Sequence, residues 1–313
     1  VLIILVFAAT GHAQQYPSKP IRFVVGFTAG GASDITSRIV GQKLTEHLGQ
    51  PVVIDNRAGA SGTIAGTIVA RALPDGYTLL SGATSILSIN PALFAKLDYD
   101  SLRDFTPVSQ TVSMPQLLVV HPSVKASTLK ELLALAKARP GELNYSSSGT
   151  GSSSHLAMEL LKYMTGINVV HVPFKGSGQA MPNLLAGQVQ LVFDPMPSSL
   201  PHVKSGRLRA IAISTATRSP AIPELPTVGE SGVPGYDSNL WYGVLLPARA
   251  PPAIVAKLNH TINTILRDPE VAERFAALGA EPRGSSGAEF GQYIAAETAK
   301  WGKVIKAVGL RAD

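Results

Sequence analysis

Ile21-Arg22-Phe23-Val24-Val25-Gly26-Phe27, followed by Thr28-Ala29-Gly30-Gly31-Ala32-Ser33-Asp34, is the stretch on which the fold turns. The first seven residues are mostly β-branched and aromatic, the composition of a buried strand. A Gly-rich turn ends it. Ile35, Ile39, Val40, Leu44 and Leu48 then recur at helical spacing, with Gly49 where a C-terminal stop belongs. Strand, tight turn and helix in that order open a βαβ unit.

The same alternation continues outward. Pro51 to Asp55 reads as a strand, Ile64, Ile68 and Val69 mark a helix, and Pro74-Asp75-Gly76 turns into a strand through Tyr77 to Leu80. A second series begins beyond Val120. Its helices are Leu129 to Ala138, Ser153 to Met164, about Ser177 to Ala186, and a Pro-rich helix ending at Ser205. Its strands are Leu143 to Ser146, Asn168 to Val172, Leu191 to Asp194 and Leu208 to Ser214. Pro182 fits only if it lies in the first turn of its helix. The tail reads as one strand, Leu240 to Pro247, and helices over Pro252 to Leu266, Pro269 to Leu278 and Ala288 to Val308.

A helical tail needs a partner for its apolar faces. The economical arrangement returns it to the first domain. The expected fold class is therefore α/β with two domains. Residues 15–120 plus 241–313 form a discontinuous domain 1, and residues 121–240 form domain 2. Two crossings, near Leu117 to His121 and Ser238 to Tyr242, would form a hinge.

Val1 to Ala9 is almost wholly apolar and runs into Thr10-Gly11-His12-Ala13, an h-region with a small-x-small cleavage site. It is too short for a bilayer core of about 30 Å. Residues 1–13 are expected to be the remnant of a signal peptide, cleaved near Ala13, which marks the protein as exported. The 313 residues are 45% hydrophobic and 15% charged, a well-buried globular composition. Lys and Arg exceed Asp and Glu by 27 to 21, but the basic residues are scattered without an aromatic-interleaved patch, so no nucleic-acid partner is expected. The chain has no cysteine, which removes thiol catalysis and cysteine-ligated metal.

Two segments carry the chemistry, each between a strand and a helix: Thr28 to Asp34, and Ser146-Ser147-Ser148-Gly149-Thr150-Gly151-Ser152-Ser153-Ser154. Small residues admit a ligand close to the backbone, and helix N-termini present N–H groups and partial positive charge to an anion. Each loop alone reads better as an ordinary capped turn. Two of them, one per domain at the carboxyl ends of strands, point to a cleft. The candidate ligand-binding residues are Phe27, Thr28, Ala29, Gly30, Gly31, Ala32 and Ser33, with Ser81, Ala83 and Thr84 just past the third strand. From domain 2 come Ser148, Gly149, Thr150, Gly151, Ser152 and Ser153. Phe174 and Lys175 of Val172-Pro173-Phe174-Lys175-Gly176-Ser177-Gly178, and Asp194, complete the set. Lys175 offers a cation or is a solvated loop lysine; Asp194 accepts from a ligand or caps the next helix. Asp34 reads as a first-turn carboxylate or a loop staple. Trp241 and Tyr242 line the cleft or pack at the hinge.

Catalytic signatures are missing from the sequence. There is no G-x-S-x-G elbow, no phosphate-binding P-loop, no complete dinucleotide fingerprint and no H-E-x-x-H. No metal and no cofactor are expected. The one pairing of interest is Ser152 or Ser153 with His155, which lacks a visible orienting group.

Taken together, several motifs resemble the extracytoplasmic solute receptors of tripartite tricarboxylate transporters, the TctC-like Bug family. They are Tyr16-Pro17-x-Lys19-Pro20-Ile21-Arg22, Phe27 to Asp34, Asp55-Asn56-Arg57-x-Gly59-Ala60-x-Gly62 and Pro74-Asp75-Gly76-Tyr77-Thr78-Leu79. Val172 to Gly176, Gly187-Gln188-Val189, Pro226-Thr227-Val228-x-Glu230-x-Gly232 and Trp241-Tyr242-Gly243 continue the match. Where relatives have a P-x-G-G turn, this chain has Thr28-Ala29-Gly30-Gly31. The resemblance implies a fold of the type II periplasmic-binding-protein kind and a periplasmic Venus-flytrap receptor, acting as a monomer, that holds a mono- or dicarboxylate, aromatic ones included. Backbone groups and ordered water would hold it between Thr28 to Ser33 and Ser148 to Ser153, for delivery to membrane permease subunits. A sensor presenting its ligand to a membrane kinase, and an exported serine hydrolase, are the alternatives.

Overall fold

The computed structural model describes residues 16–311. The apolar segment and its expected cleavage site at Ala13 lie outside the described residues. Strand β1 (Ile21–Val25), helix α1 (Ala32–Leu48), strand β2 (Val52–Asn56), helix α2 (Thr63–Ala70) and strand β3 (Thr78–Ala83) come first. β1 pairs in parallel with β2 on one side and β3 on the other. Both of its faces are covered, so Ile21, Val24 and Val25 are fully buried, and a strand so placed must be apolar without alternation. Each such side chain contributes about 1.5–3 kcal/mol by leaving water. α1 stops at Gly49, whose φ of 69° lies in the left-handed region and whose N–H returns to the Thr45 carbonyl.

A π-helical turn, Ser85–Ile89, leads into the short helix α3 (Asn90–Leu93). Strand β4 (Phe105–Val120) then runs for 16 residues. Sequence reading assigns no strand here and marks only the crossing near Leu117 to His121; Pro107 and Pro115 interrupt the local strand pattern. The structure accommodates Pro107 next to a register shift between Pro107 and Ser109, an irregularity where a missing donor is tolerated.

Helix α4 (Leu129–Ala138), strand β5 (Asn144–Ser147), helix α5 (Ser153–Thr165) and strand β6 (Val170–Pro173) follow. Helix α6 (Ser177–Leu185), strand β7 (Leu191–Pro195), helix α7 (Met196–Lys204) and strand β8 (Arg209–Ile213) complete a second lobe. Pro182 lies in the second turn of α6 rather than the first. The helix forgoes one backbone bond there and is held by its buried face of Ala180, Met181 and Leu184. Strand β9 (Asn239–Pro247) returns to the first lobe, followed by helix α8 (Pro252–Arg267), helix α9 (Pro269–Ala277), strand β10 (Glu281–Pro282) and helix α10 (Gly287–Val308). α10 starts in a reciprocal capping box between Ser286 and Glu289.

β4 belongs to two sheets. Residues Phe105 to Pro115 pair antiparallel with β9, which in turn pairs antiparallel with β3. Residues Gln116 to Val120 pair antiparallel with β7, and Leu117 to Val120 with β8. β5 lies parallel to both β6 and β7. The change of sheet falls between Pro115, opposite Asn239, and Gln116, opposite Pro195. Each sheet has its own apolar core. The first is built around Phe23, Leu79, Trp241 and Leu245, and the second lies on two faces around Tyr145 and Phe193, and around Leu117 and Met196. A smaller cluster joins Ile89 and Leu93 of the first lobe to Leu156 of the second, with Trp301 and Ile305 of α10. Among the described residues, no helix is long and apolar enough to cross a membrane.

Candidate functional site

A cavity lies between the lobes. Phe27, Gly31, Ala32 and Ser33 reach it from the β1–α1 turn, Ala83 and Ser85 from the end of β3, and Leu240 and Tyr242 from β9. Ser148, Ser152, Ser153, Ser154, Ser177 and Pro195 enclose it from the second lobe, and Gln116 from the strand that links the two. The first turns of α1, α5 and α6 all open onto this space. α1 and α6 have glycine at the cap position, Gly31 and Gly176, with no side-chain cap bond, so their first-turn amides are left for another acceptor. α5 is capped by Ser152, whose hydroxyl accepts the His155 amide at 3.3 Å. Among the described residues, no charged side chain lines the cavity. Amides, hydroxyls and three converging positive helix ends suit an anion without neutralising it by an ion pair.

Gln116 is fully buried; its side-chain Nε2 donates to the Ser153 carbonyl at 3.5 Å, while its Oε1 has no partner. Ser148 Oγ and Ser177 Oγ lie 3.1 Å apart and tie two loops of the second lobe together. Asp34 staples the first loop, accepting the Gly30 amide at 3.0 Å and pairing with Arg38 at 2.9 Å. Burial pushes this carboxyl up, but the Arg38 and Gly30 hydrogen bonds outweigh it, and the net direction is down.

The cleft is closed by contacts between the lobes. Ser61 Oγ donates to the Thr150 carbonyl at 2.5 Å, and Asn90 Nδ2 holds the Ser61 carbonyl at 3.1 Å. Thr28 and Ala29 face Gly176 and Gly178 so closely that an added Cβ would lie 2.6 Å from Thr28 Oγ1 at the former and 2.1 Å from the Ala29 carbonyl at the latter. Glycine is required at both positions for the loops to meet.

Of the residues expected from sequence, Phe27, Gly31, Ala32, Ser33, Ala83, Ser148, Ser152 and Ser153 line the cavity. Thr28 and Ala29 form its rim against the second lobe, whereas Gly30 is exposed with its amide on Asp34. Ser81 sits one layer behind, accepting from Ser37 at 2.8 Å, and Thr84 ties to the Trp241 backbone at 3.0 Å. Gly149, Thr150 and Gly151 shape the serine-rich loop but turn their backbone toward other partners. Phe174 packs on an apolar cluster and Lys175 is exposed, its amide on Gln179. Asp194 is buried behind Pro195, where Ser198 Oγ donates to its carboxylate and Ser199 Oγ to its carbonyl; its side chain caps no backbone amide of α7 and does not line the cavity. Burial raises its carboxyl to about 6, with Ser198 and Ser177 pulling the other way.

Sequence reading missed Ser85, Gln116, Ser154, Ser177, Pro195 and Leu240 as lining residues. Ser154 and Ser177 stood inside quoted loops; only three-dimensional register brings Gln116 and Leu240 to the wall. At the second crossing the two aromatics divide: Tyr242 lines the cavity, whereas Trp241 is in the core with its indole N–H on Glu297 at 3.1 Å. Ser152 bonds the backbone of His155, not its ring, and the ring accepts from the Gly151 amide at 3.1 Å. That geometry gives Ser152 no imidazole base.

Two α/β lobes around an uncharged, donor-rich cleft define a solute-binding protein. Residues 36–310 match the model of the tripartite tricarboxylate transporter family receptor, and the chain belongs to that family. It is similar to the solved Rpa4515 of R. palustris with adipate, at 39% identity and a TM-score of 0.93, covering 95% of this chain and 99% of that one. It is similar to the periplasmic binding protein BugD, at 32% identity and a TM-score of 0.92 over 95% and 100% of the two chains. It is likewise similar to MatC (Rpa3494) from Rhodopseudomonas palustris with bound malate, at 34% identity and a TM-score of 0.89 over 93% and 100%.

Proposed function

We propose that this protein is a non-catalytic periplasmic receptor that captures a small carboxylate between its lobes and hands it to the membrane subunits of a tripartite transporter. The observation that carries the reading is the convergence of the first turns of α1, α5 and α6 on a serine-lined cavity with no charged side chain in its wall. Such a wall favours an ionised carboxylate through amide and hydroxyl donors. The adipate and malate of two family members support an aliphatic dicarboxylate as the ligand class. BugD supports the periplasmic location. The lobes serve as the two closing domains, divided where β4 changes sheet and where the chain returns at Ser238 and Asn239. The receptor acts as a monomer.

Calorimetry with adipate, malate, succinate and citrate tests this reading, with ester turnover measured in parallel. Saturable binding of at least one acid and no turnover is the expected result. Turnover abolished by Ser152→Ala would overturn the receptor reading.

A further inference from the structure

Behind the serine-rich loop three aromatic rings lie close and near parallel. Tyr145 and His171 have centroids 4.8 Å apart at 19°, His155 and His171 4.1 Å apart at 18°. Tyr145 and His171 are register partners on β5 and β6, which places both on one sheet face, and His155 is in the first turn of α5. Each imidazole holds the loop. The Gly151 amide donates to His155 Nδ1 at 3.1 Å. Ser147 Oγ lies 2.6 Å from His171 Nε2 and accepts the Gly149 amide at 3.1 Å. Gly149 and Gly151 have φ of 125° and 83°, a backbone path without intrinsic preference in other residues and therefore set by such anchors. Flanking these two glycines stand Ser148 on one side and Ser152 and Ser153 on the other, which face the cavity.

We infer that His155 and His171 are positioning residues for ligand binding: kept uncharged, they hold the Gly149–Gly151 backbone so that the loop presents its donors to the carboxylate. This rests on the receptor reading above. Because a backbone N–H donates to His155 Nδ1, that nitrogen carries no proton, and the other, Nε2, faces Glu159 at 4.0 Å. Glu159 is already engaged by the Tyr145 hydroxyl at 2.5 Å and Lys162 at 2.6 Å. On the neighbouring elements, Asp194 of β7 is held by Ser198, and Glu297 of α10 by Trp241 and Trp301. No free carboxylate among these groups awaits an imidazolium. Burial first, then Lys162, lowers the His155 ring to about 4; burial first, then His155, lowers His171 to about 3. A proton on His155 Nδ1 removes the acceptor for Gly151, so loop order is present at neutral pH and lost as pH falls through about 4.

The test uses adipate and malate as probes on wild type, His155→Leu and His155→Asn. Asn places an acceptor near the Nδ1 position but does not titrate. At pH 7.5, His155→Leu should lower affinity at least about tenfold and His155→Asn should restore it to within about threefold, as expected for loss and return of a buried hydrogen bond. The ratio of wild-type to His155→Asn affinity cancels the ligand's own titration and should fall as the pH is lowered from 6 toward 4. A ratio flat with pH, or wild-type affinity in His155→Leu, overturns the inference. Amide hydrogen exchange of Gly151 decides the anchoring without any ligand: slow in wild type and His155→Asn, fast in His155→Leu. Equal exchange in all three overturns it. Failure of the wild type to bind any acid, with that exchange pattern intact, instead overturns the receptor reading.

Discussion

Ser214 and Gln116 exchange two hydrogen bonds at the waist of the molecule: the Gln116 amide donates to Ser214 Oγ at 2.9 Å, and the Ser214 amide donates to the Gln116 carbonyl at 2.9 Å. The same hydroxyl donates to the Ser238 carbonyl at 2.6 Å, and the Ser238 amide to the Ser214 carbonyl at 2.8 Å. All three residues are fully buried. One serine thus ties both strand crossings together. Ser214→Ala leaves the Gln116 amide and the Ser238 carbonyl each short of a partner in a dry site. Loss of about 2 kcal/mol of stability is expected in urea unfolding, since each orphaned group costs about 1–3 kcal/mol less any relaxation.

Closure depends on contacts such as Ser61 to Thr150. Ser61→Ala should weaken adipate or malate binding about fivefold, the effect of about 1 kcal/mol taken from the closed state alone. Solution scattering of the wild type should give a smaller radius of gyration with saturating ligand than without. An unchanged radius would mean a rigid pocket.

Gly31 lies in the cleft wall, where an added Cβ would be 3.4 Å from the Gly178 amide nitrogen and 3.5 Å from Ser177 Cβ. A single carbon fits there and an indole does not. Gly31→Trp should abolish binding, by at least about a hundredfold, while far-UV circular dichroism stays that of the wild type, because the residue packs against the opposite lobe and not within its own core.

The wall presents neutral donors, so under the proposed function ionisation of the ligand matters. Adipate should bind at least about tenfold more tightly than adipamide, because a hydrogen bond to a charged group contributes about 1.5–3 kcal/mol. Equal calorimetric affinity for acid and amide would contradict the anion site.

Asp194 links stability to pH. Its carboxyl, raised by burial from the ordinary 3.8 to about 6, binds a proton more tightly folded than unfolded. Its favourable contribution is therefore full below pH 3.8 and lost as pH rises through 6. Asp194→Asn keeps an acceptor for Ser198 without the charge. The variant should gain about 2 kcal/mol over wild type at pH 7.5, a difference that vanishes toward pH 4 in paired denaturant melts.

The sequence by itself determined the alternation of strands and helices, the two lobes, the family motifs, and both loops at which helices begin. Each of these is written within a span of 10–20 residues, where side-chain period, glycine and serine report directly on local backbone geometry. Tertiary structure alone decided which residues meet across that span. Gln116 reaches the cavity because β4 changes sheets at Pro115, on a strand whose two prolines hide it from a local reading. Tyr242 and Trp241 are neighbours in sequence, yet one lines the cleft and the other fills the core. The imidazoles of His155 and His171 stack because β5 and β6 pair in the register that sets Tyr145 beside His171. Register between distant segments is chosen by the packing of whole sheet faces, and no local pattern encodes it.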